Sequence, residues 1–220
     1  MISSLLGVAF LAAAATCWYA GQRRALPPFH ILFPVAKVAT ATVLILWAIT
    51  LGATDTGTGW AVLVALAFGL VGDVALLRGQ GWAFWVGVAA FLAGHAAYLV
   101  AFAAITGANG LHPVTGLIGA ILVAPFAVRS LPRVRGAVLA DGDTLLAKTV
   151  LAYGVALLAL AVLTGLSGRV VAVAGAVLFT VSYTVLGLDR FVGPRARAGL
   201  VVLTTYHLAQ AGLMLGALAA

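Results

Sequence analysis

At 220 residues, 64% hydrophobic and only 8% charged, the chain is too apolar for a soluble globular domain, which carries about a quarter charged residues. Its formal charge of +7 lies in the breaks between long apolar runs, with no block of like charge and no basic-aromatic stripe. Nucleic acid is therefore excluded as a partner, and orientation in a membrane accounts for the excess.

The apolar runs predict an all-α integral membrane protein, a bundle of eight transmembrane helices forming one domain over residues 1–220. About 20 apolar residues cross a hydrocarbon core of ~30 Å. The first span, about residues 2–19, has no basic residues before it, and Arg23 and Arg24 follow it. That order fits a retained helix with its N-terminus outside rather than a cleaved signal peptide. It contains the lone Cys17, which excludes an internal disulfide and a cysteine-based metal site and reads as a packing residue. The second span, about 31–51, carries Lys37, and the third, about 60–77, holds "GLVGDVALL" with Asp73 as the one charge between Asp55 and Arg78. The fourth, about 83–105, carries His95 and Tyr98, and the fifth, about 113–129, is interrupted by Pro125. The sixth to eighth, about 146–164, 170–188 and 198–218, carry Tyr153, then Ser182 and Tyr183, then Tyr206, His207 and Gln210. Breaks such as "RRALPP", "GATDTGTG", "RGQG" and "GANGLHP" have turn chemistry.

Ten basic residues fall in the odd-numbered connections: Arg23, Arg24, Arg78, Arg129, Arg133, Arg135, Lys148, Arg190, Arg195 and Arg197. The even-numbered connections and the termini hold only Arg169. The bias predicts odd connections in the cytoplasm and both termini outside it, in a bacterial-type plasma membrane.

Ionisable groups inside a span cost roughly 2.5–3.5 kcal/mol and normally face protein. Counted from the cytoplasmic ends, Asp73 lies ~6 Å deep, Lys37 and Ser182 ~9 Å, and His95, His207 and Gln210 ~15–20 Å. The polar groups thus predict a tapered cavity open to the cytoplasmic leaflet. His95 and Tyr98, three apart, share a helix face, as do Tyr206 and Gln210, four apart. Gly69, Gly72 and Gly175 allow close helix approach. Each polar residue also has a structural reading. Lys37 either snorkels or neutralises Asp73, the histidines either bond between helices or do chemistry, and the tyrosines and Gln210 join helices. His30 and His112 sit at span ends as interface residues. No histidine pair has metal-ligand spacing, and neither a nucleophile elbow nor a phosphate loop is present. Neither a metal nor an organic cofactor is expected.

Four stretches, "GLVGDVALL", "FWVGVAAFLAGHAAYLVAF", "GAVLFTVSYTVLGLDRF" and "TTYHLAQAGL", in that order, resemble the YhhN-type lysoplasmalogenase family of eight-span membrane proteins. The resemblance implies hydrolysis of the vinyl ether bond of a lysolipid, giving a fatty aldehyde and a glycerophospho-headgroup compound. It implies Asp73 as a catalytic carboxylate, His95, Tyr98, Tyr206 and Gln210 as residues lining the site, and Lys37 as the counterpart of an early Lys-Pro pair, here followed by Val38. The family's second acid, in a Ser-Asp pair, is replaced here by Ser182-Tyr183. The next acid, Asp189, lies further on at the membrane edge.

Vinyl ether hydrolysis begins with proton transfer to the β-carbon and passes through an oxocarbenium ion, so two acids with separated pKa values suit it. With one intramembrane acid, Asp73 is the expected acid–base residue, and His95 and His207 position water or shuttle protons. Lys37, Tyr98, Tyr153, Ser182, Tyr183, Tyr206 and Gln210 then form the binding surface for a lysolipid substrate. The competing expectation is a transporter or a non-catalytic lysolipid-binding membrane protein. Asp73 and Tyr183 are 110 residues apart, and His95 and His207 112 apart, and the third and fourth spans run in the same directions as the seventh and eighth, as a parallel four-plus-four repeat would require.

Overall fold

A computed structural model describes residues 2–79 and 81–219. Among the described residues there are α-helices and π-helical turns and no strands: α1 (Ile2–Gln22), α2 (Phe29–Thr50), α3 (Gly57–Leu77), α4 (Trp82–Asn109), α5 (Pro113–Pro125), α6 (Leu131–Ala140), α7 (Thr144–Leu166), α8 (Val170–Gly187) and α9 (Ala198–Leu218). Eight segments are long and apolar enough to cross a membrane, α5 and α6 counting as one from Pro113 to Ala140. The chain is an integral membrane protein, and the predicted spans and the observed helices agree to within a few residues at most ends.

The fifth span is interrupted at Pro125, as expected, but runs further than expected, to Ala140. A π-helical turn, Phe126–Ser130, follows the proline and α6 continues from it. Proline lacks the N–H that an α-helix needs, so the α-helical pattern stops there. Arg133 and Arg135, expected in a connection, therefore stand on a helix. A second π turn, Leu188–Val192, extends α8.

Helix ends follow local chemistry. Thr56 caps α3 by accepting from the Gly59 N–H at 3.0 Å, and the Asp143 carboxylate caps α7 by accepting from the Leu146 N–H at 2.9 Å. Both satisfy donors that the first helical turn leaves open. Gly52, Gly110 and Gly142 have φ of 84° just beyond helix ends, the left-handed stop that glycine adopts without penalty.

Large apolar side chains point outward, among them Val8, Ile31, Leu117 and Val155, each more than half exposed. The buried positions of the first three helices are mostly small: Ala14, Cys17, Ala20, Ala36, Ala48, Ala65, Gly69 and Gly72. Water would punish that arrangement, whereas lipid solvates the outer side chains and leaves close packing to the small ones.

The chain divides into two compact units. One runs to Ala104 and includes the last residues from Ala217, and the other is Ile105–Gly216. In the first, α1 packs on α2 and α2 on α3, with Trp47 of α2 donating to the Ser3 hydroxyl at 3.1 Å. Phe91 of α4 covers Gly72 of α3. In the second, α7 packs on α5, α6 and α8. Helices α8 and α9 meet backbone to backbone, where a Cβ on Gly175 would lie 2.7 Å from the Leu213 nitrogen.

Candidate functional site

The polar residues expected inside the spans fall into two sets, one in each unit.

In the first unit, Lys37 of α2 and Asp73 of α3 form an ion pair, Nζ to Oδ1 2.9 Å. Asp73 lies on the buried face that carries Val62, Ala65, Leu66, Gly69 and Gly72, so its carboxylate points into protein and not into lipid. The Asp73 side chain is 2% exposed and that of Lys37 12%, which makes the ammonium the more accessible partner. Cys17 of α1 is fully buried.

His95 and Tyr98 of α4 are both buried. The His95 ring bonds through Nδ1 to the Phe91 carbonyl at 2.7 Å. A carbonyl only accepts, so Nδ1 carries the proton and Nε2 is the basic nitrogen of the neutral ring. Leu76 meets Gly87 and Phe91 meets Gly72, so α3 and α4 run antiparallel with Asp73 about level with Ala90. His95 then stands about five residues, ~7.5 Å, further along α4. Side chains lean towards the N-terminus of their own helix, which tilts these two towards each other and narrows the gap. Phe91, absent from the sequence-based candidates, supplies both the cover over Gly72 and the carbonyl that orients His95. Its position four residues before a histidine was the available signal.

In the second unit, Tyr183 of α8 is stacked. Its ring lies 4.9 Å from Tyr153 of α7 and 5.6 Å from Phe179 of its own helix, with interplanar angles of 30° and 20°. Phe179 meets Tyr206 of α9 edge-on at 5.6 Å, and Tyr206 tilts against His207 at 5.3 Å. Gln210 donates to the Tyr206 hydroxyl at 3.3 Å. The Ser182 hydroxyl donates to the Val202 carbonyl at 3.0 Å, fastening α8 to α9. Tyr153, Ser182, Tyr206, His207 and Gln210 are all buried. Phe179, missed in the sequence, is the centre of this array, and its spacing of four from Tyr183 makes the stack intelligible afterwards.

Asp189 has a structural task. It sits in the second π turn and accepts from the Arg195 backbone N–H at 2.6 Å, closing the loop before α9. His30 and His112 are exposed at helix starts. Among the described residues, no three acidic, histidine or cysteine side chains cluster as a metal site would need.

Similarity to known proteins points the same way as the ordered motifs. Human lysoplasmalogenase TMEM86B is 38% identical over 156 residues, covering 70% of this chain and 62% of the human protein. The pig protein of the same name is 37% identical over 162 residues, covering 73% and 65%. The mouse protein is 36% identical over 176 residues, covering 80% and 70%. The chain thus spans somewhat less than two thirds of the human and pig proteins. No solved structure matches it. The model of the YhhN family matches residues 32–217, from the second span to the last, and the chain belongs to that family.

Proposed function

We propose that the chain is a membrane-embedded hydrolase that cleaves the vinyl ether bond of a lysoplasmalogen-like lysolipid, with Asp73 as its acid–base residue. The observation that carries this reading is the buried Lys37–Asp73 pair at 2.9 Å, in a chain similar to three proteins named lysoplasmalogenase.

Hydrolysis adds a proton to the β-carbon and the oxygen of water to the α-carbon, and the hemiacetal then collapses to aldehyde and glycerol hydroxyl. One acid serves both steps if its proton state changes between them. The headgroup phosphate meets the more accessible Lys37 first and draws the ammonium away from Asp73. Asp73 takes up a proton and passes it to the β-carbon. As a carboxylate again, it stabilises the oxocarbenium ion and accepts a proton from the attacking water. His95, basic at Nε2, orients that water, and Tyr98 of the same helix lines the path of the lipid. The basic connections support entry from the cytoplasmic leaflet of a bacterial-type plasma membrane, with both termini on the far side.

The test is aldehyde release by purified protein given lysoplasmalogen or an ester-linked lysolipid. Asp73→Asn is expected to lower release by roughly 100-fold or more, the usual contribution of a general acid. Release that survives the substitution removes Asp73 from the chemistry.

One observation favours a second reading, lysolipid binding without hydrolysis. Tyr183, where the resemblance expects a second acid, is enclosed by Tyr153 and Phe179. Saturable lysolipid binding with no aldehyde from any substrate would favour it over the first.

A further inference from the structure

The last part of the fifth membrane-crossing segment, α6, is a docked helix, and its arginines are arranged in a way that membrane orientation alone does not require. Helix α6 buries Leu131, Val134 and Val138. Leu131 sits where Gly154 of α7 lacks a side chain, a Cβ there falling 2.5 Å from the leucine. Val134 rests on Gly187 at the end of α8, where a Cβ would be 3.2 Å away. Two glycines on neighbouring helices thus seat α6 in one register.

The rest of α6 faces outward. Pro132, Gly136 and Leu139 are exposed, and at about 100° per residue they form a strip with Arg135 on one side and Arg133 on the other. Arg129, also exposed, lies in the π turn just before. An apolar strip flanked by basic side chains suits a helix lying at the boundary between acyl chains and headgroups.

Several other arginines are already engaged. Arg23 lies over Tyr19 at 4.4 Å, Arg78 over Trp82 at 5.9 Å and Arg190 over Phe191 at 5.8 Å, while Arg195 donates to the Gly193 carbonyl. Among the described residues, no carboxylate or aromatic ring pairs with Arg129, Arg133 or Arg135. Of the two acids just beyond α6, Asp141 is its C-cap residue and Asp143 caps α7. Three guanidiniums on one rigid support present a surface for phosphodiester groups, which they grip through paired N–H donors.

We propose that α6 and the π turn before it form a docking platform for the headgroups of anionic phospholipids, bound by Arg129, Arg133 and Arg135. The platform is independent of the hydrolytic reading, because its ligand needs no vinyl ether and its readout is binding.

The experiment places purified protein in nanodiscs of phosphatidylcholine and diacyl phosphatidylglycerol and counts the lipids retained on it by native mass spectrometry. The wild-type chain is expected to retain phosphatidylglycerol preferentially, less so at high salt. The triple variant Arg129→Gln, Arg133→Gln, Arg135→Gln is expected to lose that preference by up to roughly fivefold per residue, with an unchanged thermal midpoint in detergent. Single Arg133→Gln should show a partial loss. Arg23→Gln with Arg24→Gln is the control for general positive charge and should leave the preference in place. Equal retention of both lipids by the wild type, an unchanged preference in the triple variant, or an equal loss in the control would each overturn the proposal.

Discussion

The Lys37–Asp73 pair shows how a chain places an acid inside a bilayer. Neither charge is tolerable alone in hydrocarbon, and at 2.9 Å each answers the other. Removing one partner strands the other, so Lys37→Met is expected to cost about 3–5 kcal/mol of stability, measured by unfolding in detergent. Lys37→Met combined with Asp73→Asn should regain most of that loss, because no buried charge remains. A double variant as unstable as the single one would show that the pair is not the source of the cost. Tyr183 behaves differently. Its ring is held between Tyr153 and Phe179, and such ring pairs contribute roughly 0.5–1.5 kcal/mol each beyond burial. Tyr183→Asp removes both and puts a carboxylate against two aromatic faces. The expected result is a lower thermal midpoint and no gain in aldehyde release. A large gain would mean that the stack displaced an acid this site still needs.

At the scale of helices, close approach sets the positions of the polar groups. Gly175 lets α8 and α9 touch through their backbones, and the Ser182–Val202 bond lies on the same contact. Gly175→Ala would drive a methyl group to 2.7 Å from the Leu213 nitrogen, and backbone cannot step aside as a side-chain tip can. The expected cost is about 1–3 kcal/mol, seen as a lower midpoint. At Gly72→Ala the atoms met belong to the Phe91 ring, which can shift, so stability should fall less while the His95 orientation suffers. Comparing midpoint with activity in the two variants separates the effects. Pro125 makes the related point for backbone hydrogen bonds. The α-helix stops at Pro125, where the sequence reads as broken, and a π turn carries the chain on into α6.

At the scale of the molecule, eight membrane-crossing segments and a strong bias of basic residues predict that the two ends of the chain lie on the same, non-cytoplasmic side. Reporter fusions that are active only outside the cytoplasm should therefore work at both ends and fail when placed after Arg78. An active reporter after Arg78 would reverse the orientation and with it the proposed leaflet of substrate entry. The boundary between the compact units falls at Ala104, near the end of the fourth span, where a four-plus-four organisation would put it. The order of packing is also shared, since α1, α2 and α3 are neighbours in sequence as α5, α7 and α8 are, if α6 is counted with α5.

The number of spans, their approximate limits, the isolated acid and the family motifs were all legible in the chain itself. Lipid demands one simple thing of a span, a sufficient run of apolar residues, and that demand is written locally. The partner of Asp73 was not legible, because Lys37 snorkelling outward and Lys37 turning inward look the same in one dimension. Nor were the stack that encloses Tyr183 and the seating of α6 on Gly154 and Gly187. These depend on which faces of separate helices meet, and in a chain apolar all round its helices, periodicity does not mark the inner face. Only tertiary packing, decided by small residues and a few ring and ion contacts, assigns it.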